Sequence, residues 1–410
     1  MRFFYNIAIT IYYFLILFFS VFNKKAYLWK KGRQNVLFDL KEQINPDKKY
    51  LWIHAASMGE FEQGRPVIEA YKKKSPDISI LLTFFSPSGY EARKDYTGAD
   101  IIIYLPFDFT RNVKRFLEIA RPETAIFIKY EFWYNYLNQL NKRNIPTYLI
   151  SGIFRENHIF FKCYGKWFRK ALCAYKHFFV QNESSSLLLQ SIGLKNITVC
   201  GDTRFDRVLA ISEKSGDNEI LENFKAGKQI LIGGSTWDRD ENIIIEFINN
   251  SENELKFIIV PHEINDSQID EIIEKLKVKT VKYSRASENN LIGAVVMIID
   301  NVGMLSSIYK YANIAYIGGG FGAGIHNVLE PASFGMPVLF GPNYQNFEEA
   351  KELITRGGAF SVNNYQQFSD VVNSLLTDKK KLKNSSEISF GFIKESIGAT
   401  SIIVNELISD

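Results

Sequence analysis

The 410-residue sequence is poor in cysteine, with only Cys163, Cys173 and Cys200 and no C-x-x-C pair. Three thiols without that spacing make neither a disulfide framework nor a cysteine zinc site, which excludes a stapled secreted fold and suits a reducing compartment. Histidine is scarce too, at five residues, and no two are spaced as a ligand pair on one helix, so no metal centre is suggested. No G-x-S-x-G elbow, Walker A loop or short-period repeat occurs, which removes the α/β-hydrolase, standard ATP-site and solenoid readings. With 46% hydrophobic and 23% charged residues and only 11 prolines, the chain is a folded globular protein long enough for two domains.

The formal net charge of +4 hides an asymmetry. Residues 1–205 carry 30 Lys+Arg against 17 Asp+Glu, whereas residues 206–410 carry 19 against 28. A basic first half points to an anionic partner: nucleic acid, a membrane surface or a phosphorylated substrate. Phe3 to Phe22 is twenty residues without a charge, long enough as a helix to cross roughly 30 Å of hydrocarbon. It runs into Asn23-Lys24-Lys25 rather than a small-residue cleavage site, so it is expected to be retained, with residues 1–33 forming a membrane anchor and basic juxtamembrane segment. Basic residues after it (Lys24, Lys25, Lys30, Lys31, Arg33) place the remainder on the cytoplasmic side of an inner membrane. Two readings stand for this segment: a spanning helix, or one lying in a single leaflet. Behind such an anchor, a basic domain fits lipid phosphate better than nucleic acid.

Short β-branched runs alternate with helical spacing at Leu51–Ala55, Ile78–Thr83, Ile101–Leu105, Thr124–Lys129, Thr147–Ser151 and Phe178–Gln181. The rhythm restarts at Gln229–Gly233, Lys256–Pro261, Val295–Asp300, Ile314–Gly318 and Pro337–Gly341. This predicts an α/β chain of two Rossmann-like doubly wound domains facing a cleft, spanning 34–210 and 229–410, joined by a polar linker over 211–228. Phe160–Lys176, aromatic and basic, reads as an amphipathic helix turned to lipid or to the core.

Chemistry is sought at the carboxyl ends of the strands. Glu60 follows the first strand in HAASMGE and opens a helix, as a general base or as a carboxylate satisfying the helix dipole. Glu131, in KYEFW, is a second carboxylate at a strand end, or half of a buried ion pair. Residues 318–331, GGGFGAGIHNVLEP, depart from G-x-G-x-x-G and read as a glycine loop feeding a helix whose start holds a phosphate, with Glu330 accepting from ribose hydroxyls; the alternative is a tight turn with packing glycines. GGST at 233–236, VPHE at 260–263 and DNVGML at 300–305 are weaker strand-end spots expected on the same wall.

Together, IHAASMGE, FFSPSGYE, KYEFW, GDTRFD, GGSTWDRDE, IVPHE, DNVGML and GGGFGAGIHNVLEPASFGMPVLFGP, in that order, resemble the 3-deoxy-D-manno-octulosonic acid (Kdo) transferases of lipopolysaccharide synthesis. The resemblance implies the two-domain GT-B glycosyltransferase fold. It also implies inverting transfer of Kdo from CMP-Kdo to a phosphorylated lipid A precursor at the membrane, with no metal or other cofactor. It makes Glu60 the base and Glu131 an acceptor-side or base-supporting carboxylate. CMP falls to Asn327, Val328, Leu329 and Glu330, to Pro261 and His262 where the family has Pro-Arg, and to Val302, Gly303 and Met304 where it has Met-Gly-Glu. A membrane-associated GT-B enzyme using a UDP-sugar is the alternative.

Overall fold

The computed structural model describes residues 2–251 and 253–409. Its contacts divide the chain into two compact units, 1–206 with 397–410, and 207–396. Each unit is built on a seven-stranded, wholly parallel sheet.

In the first unit the strands are β1 (Tyr50–Ala55), β2 (Ser79–Phe84), β3 (Ile101–Tyr104), β4 (Thr124–Ile128), β5 (Thr147–Gly152), β6 (His177–Val180) and β7 (Ile197–Val199), ordered β3-β2-β1-β4-β5-β6-β7. The second unit has β8 (Gln229–Thr236), β9 (Leu255–Pro261), β10 (Thr280–Lys282), β11 (Val296–Ile298), β12 (Ile314–Ile317), β13 (Val338–Phe340) and β14 (Ala359–Ser361), ordered β10-β11-β9-β8-β12-β13-β14. Strand order reverses between β1 and β4 in one sheet and between β8 and β12 in the other. A doubly wound sheet opens a crevice at that switch point, outside the carboxyl ends of its strands.

Both faces of β1 are buried, which is why it reads as a continuous apolar run. Successive side chains still alternate: Tyr50 and Trp52 join the core on one face, and Leu51, Ile53 and Ala55 the core on the other. Helices cover these faces with i, i+3, i+4 stripes, as in Thr110–Ala120, whose Val113, Phe116, Leu117 and Ala120 are buried.

All eleven expected strands are present; the three unforeseen ones, β7, β10 and β14, are three residues long and stand at sheet edges. The segment expected as a linker, 211–228, is mostly helical, carrying the end of Thr203–Lys214 and all of Glu219–Lys225. The last helix, Ala399–Ser409, expected with the second domain, packs on the first: Ile403 and Val404 enter the core of β1 and Phe61. Asp206 accepts from the amides of Gly398 (2.7 Å) and Thr400 (2.8 Å) and so caps that helix.

The expected amphipathic helix at 160–176 is broken. It forms two 3₁₀ turns, Ile159–Phe161 and Cys163–Gly165, then a helix Lys166–Leu172, and a Cβ at Gly165 would sit 1.7 Å from the Ile159 carbonyl oxygen. Phe160, Ala171, Leu172 and Tyr175 belong to the core, so the segment is a core element.

The N-terminal apolar helix, Arg2–Phe19, is docked along the first unit. The Tyr5 hydroxyl donates to buried Asp108 (2.6 Å), Asn135 Nδ2 donates to Asn6 Oδ1 (2.9 Å), and Ile9 and Tyr13 pack with Trp29 and Phe107. Its inward face thus holds Tyr5, Asn6, Thr10 and Tyr13, while Phe3, Phe4, Ile7, Ile11, Phe14, Leu15, Phe18 and Phe19 face outward. Arg33, expected at lipid headgroups, is instead half-buried, with its guanidinium turned into the domain. Its guanidinium donates to the carbonyls of Phe85 (2.7 Å), Leu105 (2.9 Å) and Trp29 (3.2 Å), and burial pulls its pKa down to about 9.

Candidate active site

At the first switch point, β1 delivers Ser57–Glu60 and β4 delivers Lys129–Glu131. Glu60 is the third residue of the helix Met58–Lys74, and its Oε2 accepts from the Ala56 amide at 2.5 Å. It thereby fixes the turn that leads into the helix, and it is only partly buried. Burial, followed by the neighbouring Glu131 carboxylate, pushes its pKa up to about 7, against the pull of the Ala56 amide and Lys129. A carboxylate that titrates near neutrality is suited to take a proton from a hydroxyl.

Glu131 is 7% exposed and pairs with a histidine rather than with Lys or Arg. Its Oε2 lies 3.1 Å from His54 Nε2 and also accepts from the Trp133 indole, while the Tyr175 hydroxyl donates to its backbone oxygen at 2.6 Å. His54, fully buried on β1, has its Nδ1 2.9 Å from Thr83 Oγ1 and 3.1 Å from the Thr83 carbonyl oxygen. A chain of hydrogen bonds therefore runs from β2 through His54 to Glu131. Sequence reasoning missed the role of His54. The one available signal was a histidine in an otherwise apolar strand, a polar group that burial obliges to find partners. Lys129 turns the chain between β4 and Glu131 with φ of 68°, a left-handed conformation rare for a residue with a Cβ.

At the second switch point the expected nucleotide residues stand after three strands, β9, β11 and β12. Pro261 closes β9, and the His262 amide donates to the Thr236 carbonyl oxygen at 2.9 Å. Val302 is 88% exposed, Gly303 has φ of 86°, and Met304 precedes the short helix Leu305–Ile308. Ser306 Oγ donates to Glu330 Oε2 (2.8 Å), and Asn327 Nδ2 donates to Glu330 Oε1 (3.0 Å). Glu330 thereby ties the 302–306 turn to the 327–330 turn. Val328 and Leu329 are buried, with the Leu329 amide on Asn327 Oδ1 (3.1 Å).

Two expectations about the glycine loop change. The helix after it, Leu329–Ser333, has five residues and its first amide is already capped by Asn327, so it offers little dipole for a phosphate. The glycines mostly answer to packing: a Cβ on Gly318 would meet the Ser235 carbonyl oxygen at 2.2 Å and one on Gly320 the Gly341 amide at 2.5 Å, while Gly319 has φ of 89°. Buried Asp240 holds the loop's root, accepting from the Tyr316 hydroxyl (2.6 Å) and from the amides of Gly319 (2.9 Å) and Trp237 (3.0 Å).

The family model described as 3-deoxy-D-manno-octulosonic-acid transferase (kdotransferase) matches residues 31–207. The chain is 29% identical to the 3-deoxy-D-manno-octulosonic acid transferase of Aquifex aeolicus over 349 residues, which is 84% of this chain and 90% of that one. Among solved structures it is similar to the UDP-GlcNAc 2-epimerase of Neisseria meningitidis (TM-score 0.62, 17% identity, 88% of this chain and 100% of that chain). It is also similar to MurG of Acinetobacter baumannii (TM-score 0.55, 13% identity, 88% and 100%). At those identities the structural likeness speaks for the fold, which is GT-B. Glu60 and Glu131 lie inside the matched region and the Aquifex relative is collinear with most of the chain, so this protein is similar to Kdo transferases along most of its length.

Proposed function

We propose that this protein is a glycosyltransferase of lipopolysaccharide synthesis that moves Kdo from CMP-Kdo to a lipid A precursor. The observation that carries the reading is Glu60, a carboxylate with pKa near 7 at the first sheet's switch point, inside the region that matches Kdo transferases. In the proposed step Glu60 takes the proton of the acceptor hydroxyl as its oxygen attacks the anomeric carbon. The bond from that carbon to the phosphate breaks, and its electron pair leaves with CMP. A single displacement inverts the anomeric centre. His54 acts as a positioning residue: it holds Glu131 in place, and the Glu131 carboxylate keeps Glu60 basic enough to accept the proton. CMP is assigned to Pro261 and His262, Val302–Met304, and Asn327–Glu330, where Glu330 already gathers hydroxyl and amide donors. No metal takes part in this scheme, so dialysis against EDTA leaves the rate unchanged. Mass spectrometry of the product made from CMP-Kdo and a tetraacyl lipid A precursor tests the reading; no Kdo adduct would refute it.

Kdo transferases are membrane-associated, and the docked helix suggests how this one meets the membrane, on its cytoplasmic side. A soluble helix turns its polar residues to water, but Arg2–Phe19 turns Asn6, Thr10 and two tyrosines inward and an aromatic and aliphatic face outward. Lys24, Lys25, Lys30 and Lys31 are exposed just beyond it, each worth about 1 kcal/mol near anionic lipid. The reading is a helix lying in one leaflet with its inner face still on the domain. A cysteine replacing Arg2 in a cysteine-free background should be labelled by an impermeant maleimide from the side that carries the domains. Protection from that side would favour a spanning helix.

A further inference from the structure

One cavity is left without a role by the residues assigned to CMP. It opens at the carboxyl ends of β8 and β12, has a volume of about 400 Å³ and is lined by Trp237, Asp238, Arg239, Phe321 and His326 among others. That size lies in the roughly 300–1,000 Å³ range of small-molecule sites. One wall is flat: the Trp237 indole N–H donates to His326 Nε2 at 3.0 Å and the two rings are 11° from coplanar. His262 covers one face of this platform, with ring centroids 4.5 Å from Trp237 and 4.4 Å from His326. The cavity is lined by Trp237 and His326 but not by His262, which sets it against the platform's open face.

Two of its charged groups are uncommitted. Arg239 and Asp238 are exposed, and neither has a hydrogen-bond or ion-pair partner among the described residues. Burial and the neighbouring His262 lower the His326 pKa, so the platform itself is neutral near pH 7 and Arg239 is the cation of the cavity.

We propose that this cavity is the subsite for the donor's sugar, a polyhydroxylated ring bearing a carboxylate: the ring's apolar face on Trp237 and His326, its carboxylate on Arg239, its hydroxyls donating to Asp238. The assignment rests on the function proposed above and deepens it. A carboxylate is acceptor-only and matches the planar donor fork of a guanidinium, whereas hydroxyls match a carboxylate acceptor. A nucleobase would also stack on the platform, but it carries no charge for Arg239 to meet. A neutral sugar likewise leaves Arg239 without a partner.

Steady-state kinetics with CMP-Kdo, and with CMP as product inhibitor, test this on the full chain. Arg239→Gln should raise KM for CMP-Kdo roughly 10- to 100-fold, the worth of a charge-assisted hydrogen bond, and leave the CMP inhibition constant within about twofold. Arg239→Lys should recover part of the loss, and Trp237→Phe, which keeps a ring face, should be milder than Trp237→Ala. Unliganded melting temperatures identify any variant that fails to fold, and Arg239, being exposed, provides a substitution independent of the core. An unchanged KM in Arg239→Gln overturns the assignment, as does a CMP inhibition constant that rises in parallel, because the cavity then holds the base. If the wild type itself transfers nothing from CMP-Kdo, the proposed function falls and this subsite with it; if the wild type is active and the variants match it, only the subsite falls.

Discussion

The two switch points use the same topology for opposite chemistry. At the first, side chains of one buried network, Thr83, His54 and Glu131, converge beside Glu60, and the effect of that burial is to lift a carboxyl pKa to about 7. At the second, the strand ends carry glycines whose packing brings backbone segments together, and the titratable groups stand at the rim of a cavity. Each switch point also contains a left-handed residue that is not glycine, Lys129 after β4 and Ser235 in β8, a conformation costing about 1–3 kcal/mol that the surrounding packing must hold. The contrast suggests that a parallel sheet fixes only where a site opens. Whether the site moves protons or holds a ligand depends on what the two strand ends bring to it.

Substitutions at the first point should therefore change rate, and substitutions at the second should change affinity. Glu60→Ala should have the largest effect, a loss of transfer by about 10²–10⁴ with CMP affinity intact, measured by single-turnover transfer and calorimetry. Loss of CMP binding in that variant would break the comparison. In the wild type the rate should climb with pH through about 7 and level off above it, because the base works only when deprotonated. His54→Gln should lower kcat by about 10- to 100-fold. Without the His54 partner the Glu131 carboxylate is no longer held beside Glu60, its repulsion of Glu60 weakens, and the rising limb of the pH profile moves to lower pH. A purely structural histidine would lower the melting temperature without moving that limb. Glu330→Ala should weaken CMP binding by about tenfold through the lost tie to Ser306 and Asn327, with little change in kcat at saturating donor.

The smallest effect concerns stability. Glu60 binds its proton more tightly folded, near pH 7, than in an unfolded chain, near 4.5. Its contribution is present in full below about pH 4.5 and is lost as pH rises through 7. Glu60→Gln should therefore be more stable than the wild type at pH 8, by about 2 kcal/mol or less, and lose that advantage at pH 4. Denaturant titrations at the two pH values measure it, and equal differences at both would show that Glu60 has an ordinary pKa.

Much of this architecture was legible in the residues. Strands buried on both faces write themselves as apolar runs, which is why β1, β4 and β12 stand out. β7, β10 and β14 do not, since a three-residue edge strand gains one neighbour and little burial. The position of Glu60 followed from its place after β1, but its pKa did not, because that depends on Glu131, seventy-one positions away in the chain. The glycine loop misled for a related reason. Gly318 and Gly320 answer to Ser235 and Gly341, contacts visible only once β8, β12 and β13 lie side by side. Asn6 and Thr10 look misplaced in an apolar helix, and it is the docking of that helix on Asn135 and its neighbours that gives them an inward direction.

The helix Ala399–Ser409 carries a consequence for how the molecule is made. It seals the side of the first sheet where Phe61 and Ile68 lie, and its cap, Asp206, leaves the ribosome nearly two hundred residues earlier. The second unit is thus an insertion between a lock and its key. During synthesis the first unit emerges with that apolar seam open, and stays so until the whole of the second has been translated. Nascent chains stalled before residue 397 should expose the seam to chaperones and proteases, and full-length chains tethered through an added C-terminal linker long enough to clear the exit tunnel should not.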